Sequence, residues 1–370
     1  MPKIVFLVTE DWYFVSHRLP LALAARRVGY EVTVVTRCHA HYENISDAGI
    51  RVIPFVMQRR GLNPFVLIYE AWQLRGIYRQ ERPDIVHHVA LRPVVVGAVS
   101  ARFAGVSNMV SAITGMGYLF TSGGRFAVVR QLLQRILPWL LRKGRTIVQN
   151  REDLAQLEGF GLDPKCMRLI SGVGVDTAYF KPMEGQETQS IVMMASRLLR
   201  DKGVMEFVEA ARWLSETNVR FVLVGSIDKD NPSSIAKVDI DQWVGAGIVE
   251  WWGHSVDMAQ TLVLADIVCL PSYREGLPKV LLEAMACGKA CVTTDVAGCR
   301  DAVRHEDNGL LVPPGDAMAL ASAIKWLLDN PKRRREMGGR GRERAIREFS
   351  QQCVIEATLA IYSEMLRTGE

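Results

Sequence analysis

The chain has 370 residues, 49% of them hydrophobic, and a formal net charge of +5; that length exceeds one ordinary core and fits two domains of roughly 180 residues each. No apolar run reaches the roughly 18 residues of a membrane span, the one before Glu10 and Asp11 is too short for a signal peptide, and the seven scattered cysteines include no C-x2-C pair, which argues against an integral membrane protein, a disulfide scaffold and a cysteine metal site. Charge is uneven: residues 1–180 carry 22 Lys+Arg against 13 Asp+Glu, a net +9, the remainder is 23 against 27, a net −4, and no acid stands between Ile85 and Arg151, so the first half is expected to face something anionic.

Lys3 to Thr9 reads as a buried strand, Leu19 to Gly29 as a helix stopped by glycine, and Glu31 to Thr36 as a second strand. This is the opening of a parallel α/β sheet of the Rossmann type. The connection Glu10 to His17 reads as a loop without G-x-G-x-x-G, which speaks against a dinucleotide-dependent hydride transfer. Arg51–Val56, Ile85–His88, Asn108–Ala112, Thr146–Gln149 and Arg168–Ile170 are further strands, with a helix over 65–80. Residues 181–189, KPMEGQETQ, are polar and broken by Pro182 and Gly185, so the interdomain linker is placed there. The alternation then restarts, with strands expected at 191–195, 220–225, 248–253, 266–270, 290–294 and 310–312. The expected organisation is therefore 1–180, a linker, a second Rossmann-like domain over 190–350, and a final helix at about 351–367.

The chemistry gathers on strand-to-helix turns. After the strand at 266–270 comes YREGLPKVLLEAMACG, Tyr273 to Gly288. Gly276 is expected to free the backbone, Pro278 to open a helix, and Leu281, Leu282, Ala284 and Met285 to face the core. The N–H groups after Glu275, at the positive end of the helix dipole, suit a phosphate. Glu275 would be repelled by that phosphate unless it bonds sugar hydroxyls beside it, and Glu283 lies about two turns further on. A second turn, Ser196 to Gly203, carries Arg197 and Lys202 five apart, two cations that could clamp a diphosphate. Taken alone, these acids and cations could equally be dipole-complementing or solvated residues.

The run Ser272 to Pro278 with Leu282-Glu283-Ala284 resembles the E-x7-E signature of retaining family-four glycosyltransferases. The resemblance covers nearly the whole chain. It implies the fold called GT-B, two Rossmann-like domains facing a central cleft, with the C-terminal helix crossing back to the first domain. It further implies that Glu275 lies over the donor sugar, Glu283 holds the ribose, Arg197 and Lys202 take the leaving diphosphate, Gly276, Leu277 and Pro278 line the donor site, and Gly253 and His254 lie beside the base. His88 stands near the family's strand-end histidine.

The segment DWYFVSHRLPLA, with Asp84 to His88 and Gly115-Met116-Gly117, resembles a bacterial branch that extends lipid-linked glycans. Glu10 to His17 departs from the Gly-Gly pair common in relatives. Asp11, His17, Arg18, Gly115 and Gly117 would then line the acceptor side. Arg125, Arg130, Arg135, Trp139, Arg142 and Lys143 lie on a basic, Leu- and Trp-rich stretch that suits anionic lipid; an amphipathic core helix would look similar. The implied activity is a hexosyl or N-acetylhexosaminyl transfer from a nucleoside diphosphate sugar, UDP by expectation, to a polyprenyl-diphosphate-linked glycan at the inner face of the plasma membrane, with no metal and no nucleic acid. The alternatives are a soluble acceptor, a nucleotide-sugar epimerase, or a basic nucleic-acid-binding protein. Lys332 to Arg344 reads as a loosely held, solvated helix end, and Asp228-Lys229-Asp230 and Asp239-Ile240-Asp241 as turn residues.

Overall fold

The computed structural model describes residues 1–58, 63–115, 127–183, 189–228 and 231–367, and of 127–130 only the backbone. The chain divides into two compact units, Met1–Val173 with Val354–Glu370, and Gly174–Cys353. The division precedes the polar segment 181–189, because residues after Gly174 are already tied into the second unit: the Val175 N–H donates to Phe349 O at 2.9 Å and Arg342 donates to Phe180 O at 2.7 Å.

In the first unit the strands are β1 (Lys3–Glu10), β2 (Glu31–Arg37), β3 (Arg51–Pro54), β4 (Ile85–Val89), β5 (Met109–Ile113), β6 (Arg145–Val148) and β7 (Met167–Leu169). All their pairings are parallel, in the order β3-β2-β1-β4-β5-β6-β7. Apolar residues occupy consecutive positions along β1 because both faces of the sheet are covered. Ile4, Phe6 and Val8 feed one core, and Val5 and Leu7 the opposite one. Helices Pro64–Glu81, Leu91–Ala104 and Ala127–Leu141 contribute Leu74 and Tyr78, Val96 and Ala101, and Leu140 to the second of these cores. The helix Gln351–Arg367 contributes Val354, Ile361, Tyr362 and Met365 to the first.

The second unit repeats the plan with β8 (Ser190–Ala195), β9 (Val219–Val224), β10 (Glu250–Gly253), β11 (Ile267–Leu270), β12 (Ala290–Thr294) and β13 (Gly309–Val312). The order is β10-β9-β8-β11-β12-β13, again parallel throughout. Val192 and Met194 point to one core, Met193 and Ala195 to the other. Each sheet reverses its strand order once, between β1 and β4 and between β8 and β11. In open α/β sheets the crevice beyond the carboxyl ends of the strands at that reversal is where ligands bind.

Two local expectations change. Asp11–His17 is a helix, not a loop, with Phe14 buried beneath it. The basic run 332–344 lies within an ordered helix, Pro331–Glu348, several of whose arginines are paired: Arg334 with Asp266 at 2.8 Å, Arg340 with Asp307 at 2.9 Å, and the buried Arg344 with Glu348 at 2.9 Å.

Candidate active site

At the reversal of the second sheet, β8 runs into residues 196–203 and β11 into residues 271–278. The two loops touch backbone to backbone. Gly203 has φ +82°, and a Cβ there would stand 2.1 Å from Pro271 O; the Tyr273 N–H donates to Asp201 O at 3.0 Å. The loop after β12 closes on the same place, since a Cβ on Gly298, at φ +75°, would meet Gly276 O at 2.3 Å. Glycine is needed at 203 and 298 for close approach, whereas Gly276 itself has no positive φ.

This packing brings together residues 73 apart in the chain. Lys202 Nζ donates to Glu275 Oε1 at 2.5 Å, and the Ser272 hydroxyl donates to the same oxygen at 2.7 Å. Both side chains of the ion pair are largely shielded, at 19% and 11% exposure. Thr294 anchors the turn by donating to Ser272 O, and Thr293 donates to Leu270 O at 2.6 Å. The Cys299 thiol is pushed up to about 12, chiefly by burial and then by the Glu275 charge, so it stays a neutral neighbour.

Pro278 is the N-cap of the helix Lys279–Ala286 rather than its first residue. That end has no side-chain cap and no acid in its first turn; the Leu281 N–H donates to Pro278 O at 3.1 Å, and no side chain caps the N–H groups of Lys279 and Val280. Glu283 lies on the same helix and is buried, with Lys279 Nζ 3.0 Å from its carboxylate. Burial raises its pKa and the Lys279 charge partly opposes the rise. It is not the solvated helix residue that spacing alone would allow.

Arg197 is not brought to Lys202. Its guanidinium pairs with Asp228 at 2.9 Å on the surface, half exposed. Asp228 therefore neutralises a cation, and Asp241 likewise pairs with Lys237. Gly253 and His254 end β10, two strands from β8; Gly253 O accepts from the Gly225 N–H at 2.7 Å and His254 is exposed. Sequence reasoning gave no role to Ser272 or Thr294 and took Asp228 only for a turn residue. The hydroxyls beside a motif acid were the available signal for the first two, and nothing local signals the third.

At the first sheet's reversal the residues after β1 are arranged differently. Asp11 is wholly buried and accepts the backbone N–H groups of Trp12 at 2.7 Å, His39 at 2.5 Å and His41 at 3.1 Å. It holds the turn after β2 instead of lining an acceptor surface. His17 stacks on Tyr13 with ring centroids 4.1 Å apart. Arg18 is buried at 3% exposure, its Nε has no hydrogen-bond partner, and no described carboxylate pairs with it. Burial lowers its pKa, and its charge is felt by His87.

His88 must be corrected. It is sealed in the core on the opposite sheet face, against Tyr78 Oη at 3.1 Å and beneath Gly97, where a Cβ would meet its ring at 2.5 Å. Burial drives its pKa to about 3, so it cannot exchange protons with a substrate near neutrality. His87, one residue earlier, faces the other way, stacking on Phe6 and bonding Tyr362 Oη at 2.5 Å. Ala90, just past β4, holds φ 76° and ψ 159°, a conformation that strains any residue with a side chain. Gly115 lies beyond β5, and Gly117 falls outside the described residues, as do Arg125 and the side chain of Arg130. Arg135, Trp139, Arg142 and Lys143 are exposed, with the Arg102 guanidinium 4.4 Å over the Trp139 ring.

Family models place this arrangement. One described as "Glycosyl transferase 4-like" matches residues 3–151, and one described as "Glycosyl transferases group 1" matches 176–344. The N,N'-diacetylbacillosaminyl-diphospho-undecaprenol alpha-1,3-N-acetylgalactosaminyltransferase of Campylobacter jejuni is 27% identical over 99% of both chains. The capsular polysaccharide biosynthesis glycosyltransferase CapM of Staphylococcus aureus is 22% identical over 100% of this chain and 98% of its own. Among solved structures, sucrose-phosphate synthase from Thermosynechococcus elongatus superposes with a TM-score of 0.83 over the whole of both chains at 21% identity. HepE of Anabaena, in complex with UDP and glucose, gives 0.80 over 98% of this chain and 100% of its own at 20% identity. With two parallel Rossmann-like halves, matching models on each half and full-length relatives, the chain belongs to the family-four glycosyltransferases of the GT-B fold.

Proposed function

We propose that the protein moves a hexose or N-acetylhexosamine from a nucleoside diphosphate sugar, UDP being the favoured nucleotide, to a hydroxyl of a polyprenyl-diphosphate-linked glycan, with retention at the anomeric carbon. The observation that carries the reading is the shielded Lys202–Glu275 pair beside an uncapped helix end at the carboxyl edge of the second sheet.

An ammonium has three N–H donors, and Glu275 uses one of those on Lys202. The others suit phosphate oxygens, together with the first N–H groups of the helix Lys279–Ala286. As the bond to the anomeric carbon breaks, negative charge grows on the diphosphate, and donors already aimed there stabilise it without reorganising. Glu275 accepts hydroxyl protons of the donor sugar, and Glu283 accepts those of the ribose. Cationic side chains and the helix dipole supply the charge a metal would otherwise bring, so chelation by EDTA is expected to leave turnover unchanged.

On the acceptor side Arg18 is the assigned contact. A guanidinium buried without a counter-ion is costly unless an anion completes it, and an acceptor diphosphate would do so. The Campylobacter relative's printed acceptor, a diphospho-undecaprenol, supports that chemistry. The working place is then the inner face of the plasma membrane.

The test supplies a panel of UDP- and GDP-sugars labelled in the sugar to the enzyme with bacterial membranes, and follows label into organic-extractable lipid, with Glu275→Ala as control. Label that enters lipid and is lost in the variant supports the proposal. Nucleotide release with label only in water-soluble product moves the acceptor into solution, and an intact donor overturns the transferase reading.

A further inference from the structure

The helix Pro64–Glu81 has two apolar faces. Leu74 and Tyr78 are turned inward, while Phe65, Ile68, Tyr69 and Trp72, at spacings of 3, 4 and 7, are 80%, 67%, 59% and 67% exposed. Those spacings put the four on one stripe about a third of the helix circumference wide. Solvated helices do not ordinarily show water four large apolar side chains in adjacent turns. The stripe continues past Gly76 to the exposed Arg79.

What surrounds it indicates the partner. The only acids on this helix, Glu70 and Glu81, are buried and paired, with Arg92 at 2.8 Å and Arg51 at 3.1 Å. The helices Leu91–Ala104 and Ala127–Leu141 cover the same sheet face and contain no acid at all. Among the described side chains of these three helices the exposed charges, Arg79 and Arg135, are cationic, and Arg142 and Lys143 follow directly; exposed acids begin outside them, with Asp84 past Glu81 and with Glu152 and Glu158 on the helix Arg151–Gly159. An apolar stripe with Trp and Tyr, on a layer of helices whose described exposed charges are cationic, complements an anionic bilayer, where aromatic rings sit at headgroup depth.

We propose that the outward stripe of Phe65, Ile68, Tyr69 and Trp72 is the membrane-docking element, inserting at the interface of an anionic bilayer while the flanking cations engage headgroups. It deepens the reading of a lipid-linked acceptor and rests on that reading for its biological use. It places the main apolar contact on this helix; of the stretch 125–143, Leu137, Leu140 and Leu141 are buried while Leu132 and Trp139 stay exposed beside Arg135.

The experiment is co-sedimentation of the full chain with phosphatidylcholine vesicles and with vesicles containing phosphatidylglycerol, for wild type and Phe65→Ser/Ile68→Ser/Trp72→Ser. Thermal unfolding and hydrolysis of a labelled nucleotide sugar serve as controls for folding and for the donor site. Binding to the phosphatidylglycerol vesicles is expected to fall by about tenfold or more in the triple variant with both controls unchanged. A milder variant, Trp72→Ser alone, should fall between the two. Unchanged vesicle binding in a folded triple variant overturns the proposal, as does a lipid-independent wild-type dimer that the variant dissociates. Vesicle binding through the stripe with no sugar transfer to lipid leaves the docking element standing and removes the acceptor reading; transfer that survives the triple variant does the reverse.

Discussion

At the strand reversal of the second unit, Lys202 and Glu275 answer each other at 2.5 Å, and Ser272 completes the carboxylate. At the corresponding reversal of the first unit, Arg18 is more deeply shielded and has no described carboxylate partner, and Asp11, earlier in the same segment, is occupied by three backbone N–H groups. The same topology thus carries two electrical arrangements. One is compensated within the protein, so under the proposed function a donor would exchange partners there. The other has no described counter-ion, so the proposed acceptor diphosphate would relieve a burial cost.

Removing the compensated pair should have the largest effect. Glu275→Ala is expected to lower transfer by roughly 1,000-fold or more, because it takes away the proposed sugar contact and the partner of Lys202 together; initial rates of nucleotide release measure it. Lys202→Ala should cost about 100- to 1,000-fold, mostly in kcat, while Arg197→Ala, removing a half-exposed group already held by Asp228, should cost about tenfold or less. Equal losses at the two positions would sink the assignment of Lys202 as the principal cation.

The uncompensated side predicts opposite signs for stability and function. Arg18→Met should raise the unfolding free energy of the first unit by about 1–4 kcal/mol in urea titrations while weakening the acceptor, seen as a higher acceptor KM with donor hydrolysis retained. A destabilised Arg18→Met protein would show that the guanidinium is satisfied in some other way.

The smallest effect concerns pH. His87 and His88 are buried neutral, with folded pKa values below the ordinary 6.5, that of His88 at about 3. Protons therefore bind the unfolded chain first as pH falls from 6.5, and stability is lost through that window at up to about 1.4 kcal/mol per pH unit for each histidine. His88→Gln should make the slope between pH 6.5 and 4 shallower, whatever it does to stability at pH 8. An unchanged slope would mean that the ring is hydrated.

The alternation of strands and helices, the two-unit organisation and the Glu275/Glu283 turn were legible because each is local: a strand, a turn and a helix within about twenty residues carry their own periodicity and breakers. The C-terminal helix was read with its observed ends for the same reason. The site's other half was less legible. Spacing paired Arg197 with Lys202, but their partners, Asp228 and Glu275, come from loops 31 and 73 residues away. Consecutive strand residues alternate faces, so motif position alone pointed to His88, and only the layers on each side show that both histidines are buried. The helix Pro64–Glu81 is apolar on both sides, which hides an amphipathic signal; only burial of Leu74 and Tyr78 shows which side is left to the outside.

By itself the sequence determined the α/β alternation, the acid-free segment between Ile85 and Arg151 and the chemistry offered at the strand-to-helix turns, because local propensity and residue type suffice for those. Tertiary structure decided which charges meet, which histidine is sealed and which aromatic stripe stays uncovered, because each depends on distant segments that pack against the group and take it out of water.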